Sequence, residues 1–221
     1  MQEWDEYWSK DQTTHNNIYN YVAVFYRKFI IKPYLKQYFN KYFSNKSIIL
    51  HAGCGSGEVE KSVGDPTTII GMDISRNALA LYNKYHDGAS LILGNILSIG
   101  IKNETLDGIY NLGVMEHFNE NEIDIILHEF HRILKKNGVI LIFWPPKYGL
   151  TVIVLRLGHI FLNSVLRKNI QLHPPEPSLI TSRIHIEKIV RKAGFNLIEI
   201  NFSPADAYTY MVVVMEKVDW L

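Results

Sequence analysis

Only one cysteine, Cys54, occurs in 221 residues. That excludes a disulfide framework and a cysteine-held metal centre. No apolar run reaches the roughly 18 residues that a membrane-spanning helix needs. Neither sign of charge dominates: 23 Lys and Arg against 22 Asp and Glu leave a net charge of +1. The balance gives no electrostatic case for a nucleic-acid partner. No internal repeat or low-complexity tract is present. The opening residues, Met-Gln-Glu-Trp-Asp-Glu, are acidic and unlike a secretory signal, so the cytoplasm is the expected compartment. What is abundant is apolar material, 47% of the chain, enough for one domain with a large core.

Residues 48 to 57 read Ile-Ile-Leu-His-Ala-Gly-Cys-Gly-Ser-Gly. The β-branched start predicts a short buried strand, which runs into Gly53, Gly55 and Gly57. Glycines let a backbone take positive φ and lie against a ligand. A helix is expected from Glu58, and strand, glycine turn, helix is a layout that offers backbone N–H groups to a nucleotide. The spacing is not the dinucleotide pattern, since Glu58 stands where that pattern wants glycine, and no Gly-Lys-Ser/Thr of a phosphate-cradling loop follows. A second β-branched run, 67 to 72, ends at Asp73, twenty residues after Gly53. In a βαβ unit that spacing puts a carboxylate at the tip of the second strand, able to accept from both ribose hydroxyls. The plainer alternative is an N-cap for the helix opening near Ser75.

Gly-x-Gly-x-Gly after a strand resembles motif I of the class I S-adenosylmethionine-dependent methyltransferases. The resemblance covers about residues 45 to 144, and 180 to 218 less closely. It implies a Rossmann-like, doubly wound α/β fold: seven strands, mostly parallel, the last antiparallel, with an N-terminal helical cap over 1–44. The methyltransferase domain would then span 45–221. The cofactor implied is S-adenosyl-L-methionine. On it would lie Gly53, Cys54, Gly55, Gly57, Asp73 and the adjacent Ile74, together with Asn95 and Ile96 at the adenine. Family members commonly carry Gly-Asp where this chain has Gly94-Asn95, and the alternative for Asn95 is a plain turn residue. Asn111, Leu112 and Gly113, at the exit of the fourth strand, would lie beside the methionine part. His51 stands where the family usually has Asp or Glu near the cofactor's amino group or holding the turn; as an acceptor when neutral, it is a further candidate cofactor contact. Cys54 is expected as a small packing residue.

Along the chain, apolar spacing predicts a helix from Asn16 or Asn17 through Ile18, Tyr21, Val22, Phe25, Tyr26, Phe29 and Ile30. Pro33 is expected to break it, with a second piece to Phe43. In the family such a cap often closes over the cofactor, which makes Tyr7, Trp8 and Tyr19 candidate contacts; aromatics at this spacing also build cores. Further helices are expected at Ser75–Asn83, Asn121–Lys136 and Ser182–Ala193, and strands at 89–93, 106–112, 139–143, 195–200 and 208–214. Between the fifth strand and the last helix lies an insert, 145–181, longer than an ordinary loop. It carries Lys147, Arg156, Arg167 and Lys168 against Glu176 alone. Three roles are open: a lid packed on the core, an amphipathic segment on an anionic membrane surface, or a pocket wall facing an anionic acceptor.

For chemistry, His117 is a candidate general base because it follows strand four and titrates in the right range. Glu116 beside it could orient the acceptor, and the pair resembles that of quinone-type O-methyltransferases. No metal is expected. The run Asn/Asp-Pro-Pro-Tyr/Phe of nucleic-acid amino-methylating enzymes is missing, so the acceptor is expected to be a small molecule, anionic or lipid-linked. The rival readings are a non-catalytic cofactor-binding or membrane-attached module, and a nicotinamide-dependent oxidoreductase.

Overall fold

The structure, a computed structural model, describes residues 2–9, 24–60, 68–165 and 175–218. Among these, seven strands form one sheet: β1 (Ile48–Ala52), β2 (Thr68–Asp73), β3 (Ser90–Leu93), β4 (Leu106–Leu112), β5 (Leu134–Trp144), β6 (Phe195–Phe202) and β7 (Met211–Lys217). The order is β3-β2-β1-β4-β5-β7-β6. The first five strands run parallel, and β7 is antiparallel to both its neighbours. Six α-helices accompany it: α1 (Gln2–Ser9), α2 (Lys32–Tyr42), α3 (Arg76–Tyr85), α4 (Glu120–Ile133), α5 (Leu150–Ile160) and α6 (Arg183–Lys192). The expected α/β architecture is therefore present.

Both faces of the central strands are buried, as the near-continuous apolar runs require. Leu50 and Ala52 point to one side, with Ile126, Phe130, Ile186 and Val190 from α4 and α6. Ile49 points to the other, with Tyr34, Leu35, Tyr38 and Phe39 of α2. The Phe39 ring meets Tyr110 edge-on at 4.9 Å.

Pro33 does not break the helix. The chain makes a π-turn over Arg27–Ile31, closed by the Lys32 N–H bonding to the Arg27 carbonyl, and continues as α2 with Pro33 in its first turn. The wider turn accommodates a residue that has no N–H and crowds the preceding turn. Phe25 and Phe29 are exposed rather than packed in the core. The cap at Asn16 or Asn17, Ile18, Tyr19, Tyr21 and Val22 lie outside the described residues.

Helix α4 begins at Glu120, with a capping box between Asn119 and Glu122, and stops at Ile133, short of the expected Lys136. Lys135 lies at the start of β5, where its ammonium pairs with Asp107 of β4 at 2.7 Å. The β4–β5 pairing jumps from Leu106↔Leu134 to Gly108↔Val139, so residues 135–138 form an irregularity. β7 starts at Met211 rather than at residue 208: Tyr208 has a φ of +55°, which no strand accepts.

Candidate active site

The carboxyl ends of β1, β2 and β4 open on a cavity of 590 Å³, a size suited to a small molecule. At the end of β1 the Met72 carbonyl accepts from both Gly53 N (2.8 Å) and Cys54 N (2.9 Å), which turns the backbone sharply. Gly57 has φ +64°, and a Cβ there would stand 2.4 Å from the Tyr82 ring. Only glycine fits. At Gly55 a Cβ would meet the Trp8 ring at 2.8 Å. The Cys54 side chain is buried, which pushes its thiol up and leaves it unreactive.

Asp73 bridges this turn and the next helix. Its Oδ2 accepts from Gly55 N at 2.8 Å and its Oδ1 from Ser75 N at 2.9 Å. The helix cap is Ser75, whose Oγ accepts from Ala78 N. Burial raises the Asp73 pKa, and the two N–H donors oppose that shift. Each carboxylate oxygen keeps a further lone pair for a ligand.

His51 lines the cavity, stacked on Tyr110 with ring centroids 4.0 Å apart. Its Nδ1 shares a hydrogen bond with the Tyr110 hydroxyl at 2.7 Å. A carboxylate is supplied from elsewhere in the chain: Glu60 Oε2 stands 2.9 Å from the same nitrogen. Neither Glu60 oxygen makes a directed hydrogen bond, so this is an ion-pair distance only.

Helix α1 lies over the site. Ser75 Oγ donates to Asp5 Oδ1 at 2.7 Å, and the Asn77 amide donates to the Asp5 carbonyl at 3.0 Å. Trp4, Tyr7 and Trp8 thereby reach the cavity. Asn95 also lines it, but its Oδ1 already accepts from Leu97 N at 2.9 Å, so the residue serves its turn as well. Ile74, Ile96, Leu112 and Gly113 are at the wall. Asn111 is not. It is fully buried, with its amide donating to the Ala52 carbonyl at the end of β1 at 2.8 Å.

Glu116 and His117 both reach the cavity, from a 3-10 turn after β4. Glu116 is 5% exposed, and its Oε2 has no partner. Burial pushes its pKa up to about 8, and the charge of Glu176 adds to the effect. His117 Nδ1 lies 2.9 Å from the Pro175 carbonyl, so it carries the hydrogen. In the neutral ring the lone pair is then on Nε2.

Several wall residues gave no signal in the sequence. Arg27 pairs with Glu58 at 3.4 Å, and the Tyr26 hydroxyl donates to the Asp206 carbonyl at 2.7 Å. Tyr210 and Glu176 come from distant segments. From the insert, Thr151, Val152 and Leu155 line the cavity. Lys147 and Arg156 are exposed and do not, so they supply no wall for an anionic acceptor. Arg167 and Lys168 lie outside the described residues. Among the described residues no group of three or more His, Cys, Asp or Glu is placed to hold a metal, and no helix is long and apolar enough to cross a membrane.

A parallel sheet with a reversed seventh strand, and a glycine turn facing an acid at the tip of β2, define the class I methyltransferase fold. Residues 50–142 match the family model described as Methyltransferase domain. No curated protein sequence matches significantly. Among solved structures, magnesium protoporphyrin IX methyltransferase from Synechocystis PCC 6803, with bound S-adenosylhomocysteine, is similar at TM-score 0.65 and 15% identity, over 91% of this chain and 88% of that one. A methyltransferase from Methanosarcina mazei gives 0.62 and 14%, over 82% and 97%. The 1,6-didemethyltoxoflavin-N1-methyltransferase from Burkholderia thailandensis gives 0.62 and 12%, over 85% and 78%.

Proposed function

We propose that this chain transfers a methyl group from S-adenosylmethionine to a small-molecule acceptor. The observation that carries the reading is the glycine turn, backed by Asp73 and open to the cavity beside it. The site fits the cofactor: the turn leaves no room for side chains, and a buried carboxylate with spare lone pairs faces the same space. When bound, the cofactor supplies an electrophilic methyl on a sulfonium. The protein's task is then mostly positioning. In this reading Asp73 holds the ribose, Asn95 and Ile96 flank the adenine, and Leu112 and Gly113 border the methionine part. His117 stands at the acceptor end as the proton acceptor, with Glu116 beside it to orient the substrate. Residues 1–44 form the cap and 45–221 the catalytic domain with its insert. Transfer of label from radiolabelled cofactor to small molecules of a cell extract tests this. Cofactor binding with no transfer to any fraction would instead support a non-catalytic module.

One further observation favours peripheral membrane contact. α5 turns Thr151, Val152 and Leu155 to the cavity while Ile153, Val154, Leu157, Ile160 and Phe161 are exposed. An exposed apolar patch beside a cavity suits an acceptor arriving from lipid.

A further inference from the structure

We propose that the acceptor is a nitrogen base bound as its ammonium ion and held by the Glu116 carboxyl. The inference rests on the methyl-transfer reading and names its substrate class. Charge at the wall points this way. Glu58, Asp73, Glu116 and Glu176 line the cavity, and among the described residues Arg27 is the single Lys or Arg there. Arg27 is taken by Glu58, and Asp73 by the turn. Glu116 Oε2 remains, nineteen-twentieths buried with its side chain and unpartnered. Leaving such an atom without a donor is costly, so a donor from the ligand is the natural complement. Its surroundings suit a cation. Gly113 leaves a gap that Glu116 Oε1 and the Tyr210 hydroxyl flank, at 3.5 and 3.3 Å from where a Cβ would stand. The Trp4 ring packs edge-on to His117 at 5.1 Å, which adds aromatic surface to the wall. A carboxylate acceptor would face two acids. This acceptor class differs from the quinone type that the Glu116-His117 pair resembles.

The step balances. The ammonium gives one N–H proton to a Glu116 oxygen, and the freed nitrogen lone pair forms the N–C bond to the methyl carbon. The C–S bond breaks with its electrons on sulfur. The products are a thioether, an N-methylammonium ion and a protonated Glu116.

The test is calorimetric binding of benzylamine, benzyl alcohol and benzoate, and of butylamine, butanol and butyrate, to protein saturated with S-adenosylhomocysteine. An amine should bind at least about tenfold tighter than its matched alcohol and acid. At pH 7 its binding should release about one proton, read from buffers of different ionisation heat. Glu116→Gln should abolish both the preference and the proton release while leaving S-adenosylhomocysteine affinity within about twofold. Amines that bind no better than alcohols or acids, or not at all, overturn the proposal. So does an E116Q protein that has lost S-adenosylhomocysteine affinity to the same degree, because the carboxyl would then serve the cofactor's own ammonium. Wild-type protein that does not bind S-adenosylhomocysteine sinks the methyl-transfer reading itself, and this inference with it.

Discussion

Glu116 carries a proton in the folded chain that it gives up in the unfolded one. Its pKa rises from 4.5 to about 8 on burial. The stability it contributes is complete below pH 4.5, falls as pH rises, and is gone above about pH 8. Glu116→Gln is neutral at every pH. Relative to wild type it should therefore gain a few kcal/mol between pH 5 and pH 8.5, read as urea midpoints at the two values. Asp73 gives the other single-residue test. Replacing it with Ala should weaken S-adenosylhomocysteine binding by about 1–3 kcal/mol, measured by calorimetry, through loss of a charged acceptor. Unchanged affinity would count heavily against the ribose role. At this scale the legible residues were those whose partners are close in sequence. Gly53, Gly57 and Asp73 belong to one βαβ unit, so spacing alone brought them together. Asn111 was legible as the exit of the fourth strand, but not its hydrogen bond to the Ala52 carbonyl, which depends on the pairing of β1 with β4. Tyr26, Arg27 and Tyr210 gave no signal, since each reaches the cavity only through the packing of remote segments.

Elements were legible where a local signal ends them. Ser182 and Gly194 bracket α6 as expected, the serine accepting from His185 N and the glycine at φ +84°. They were misread where sheet pairing overrides the local signal, as at Leu134, which pairs with Leu106 of β4 and ends α4 three residues early. Two expectations belong here. Asn119→Ala removes the side-chain oxygen that accepts from Asn121 N and Glu122 N, and should cost about 1 kcal/mol. That would lower the thermal midpoint by about 2–4 °C in a scan. On α5, replacing exposed Leu157 and Ile160 with Ser should reduce flotation with anionic liposomes at least severalfold. Wild-type protein that does not float would remove the membrane role. Neither side chain is in the cavity wall, so cofactor affinity should be unaffected.

For the whole molecule, a ligand that binds only the folded state adds stability as RT ln(1 + [L]/Kd). S-adenosylhomocysteine at a hundredfold excess over its dissociation constant should add about 2.7 kcal/mol and raise the melting temperature by several degrees. NADH should not. The sheet order follows from alternating strand and helix signals up to β5, and two late strands with no helix between them announced an antiparallel pair. What remained hidden was the path of the long insert and the lie of α1 across the turn, because neither is fixed by periodicity.

The reversed strand has a consequence for assembly of the sheet. β7 sits between β5 and β6, so among the described residues it is the sole strand partner of β6, and it covers the outer edge of β5. Synthesis runs from the amino end, so both rows of unpaired N–H and C=O groups wait until residues 211–217 have been made. The nascent chain must shield those sticky borders meanwhile, and a nonsense codon just upstream of Met211 would yield a clumping product rather than a merely shortened one.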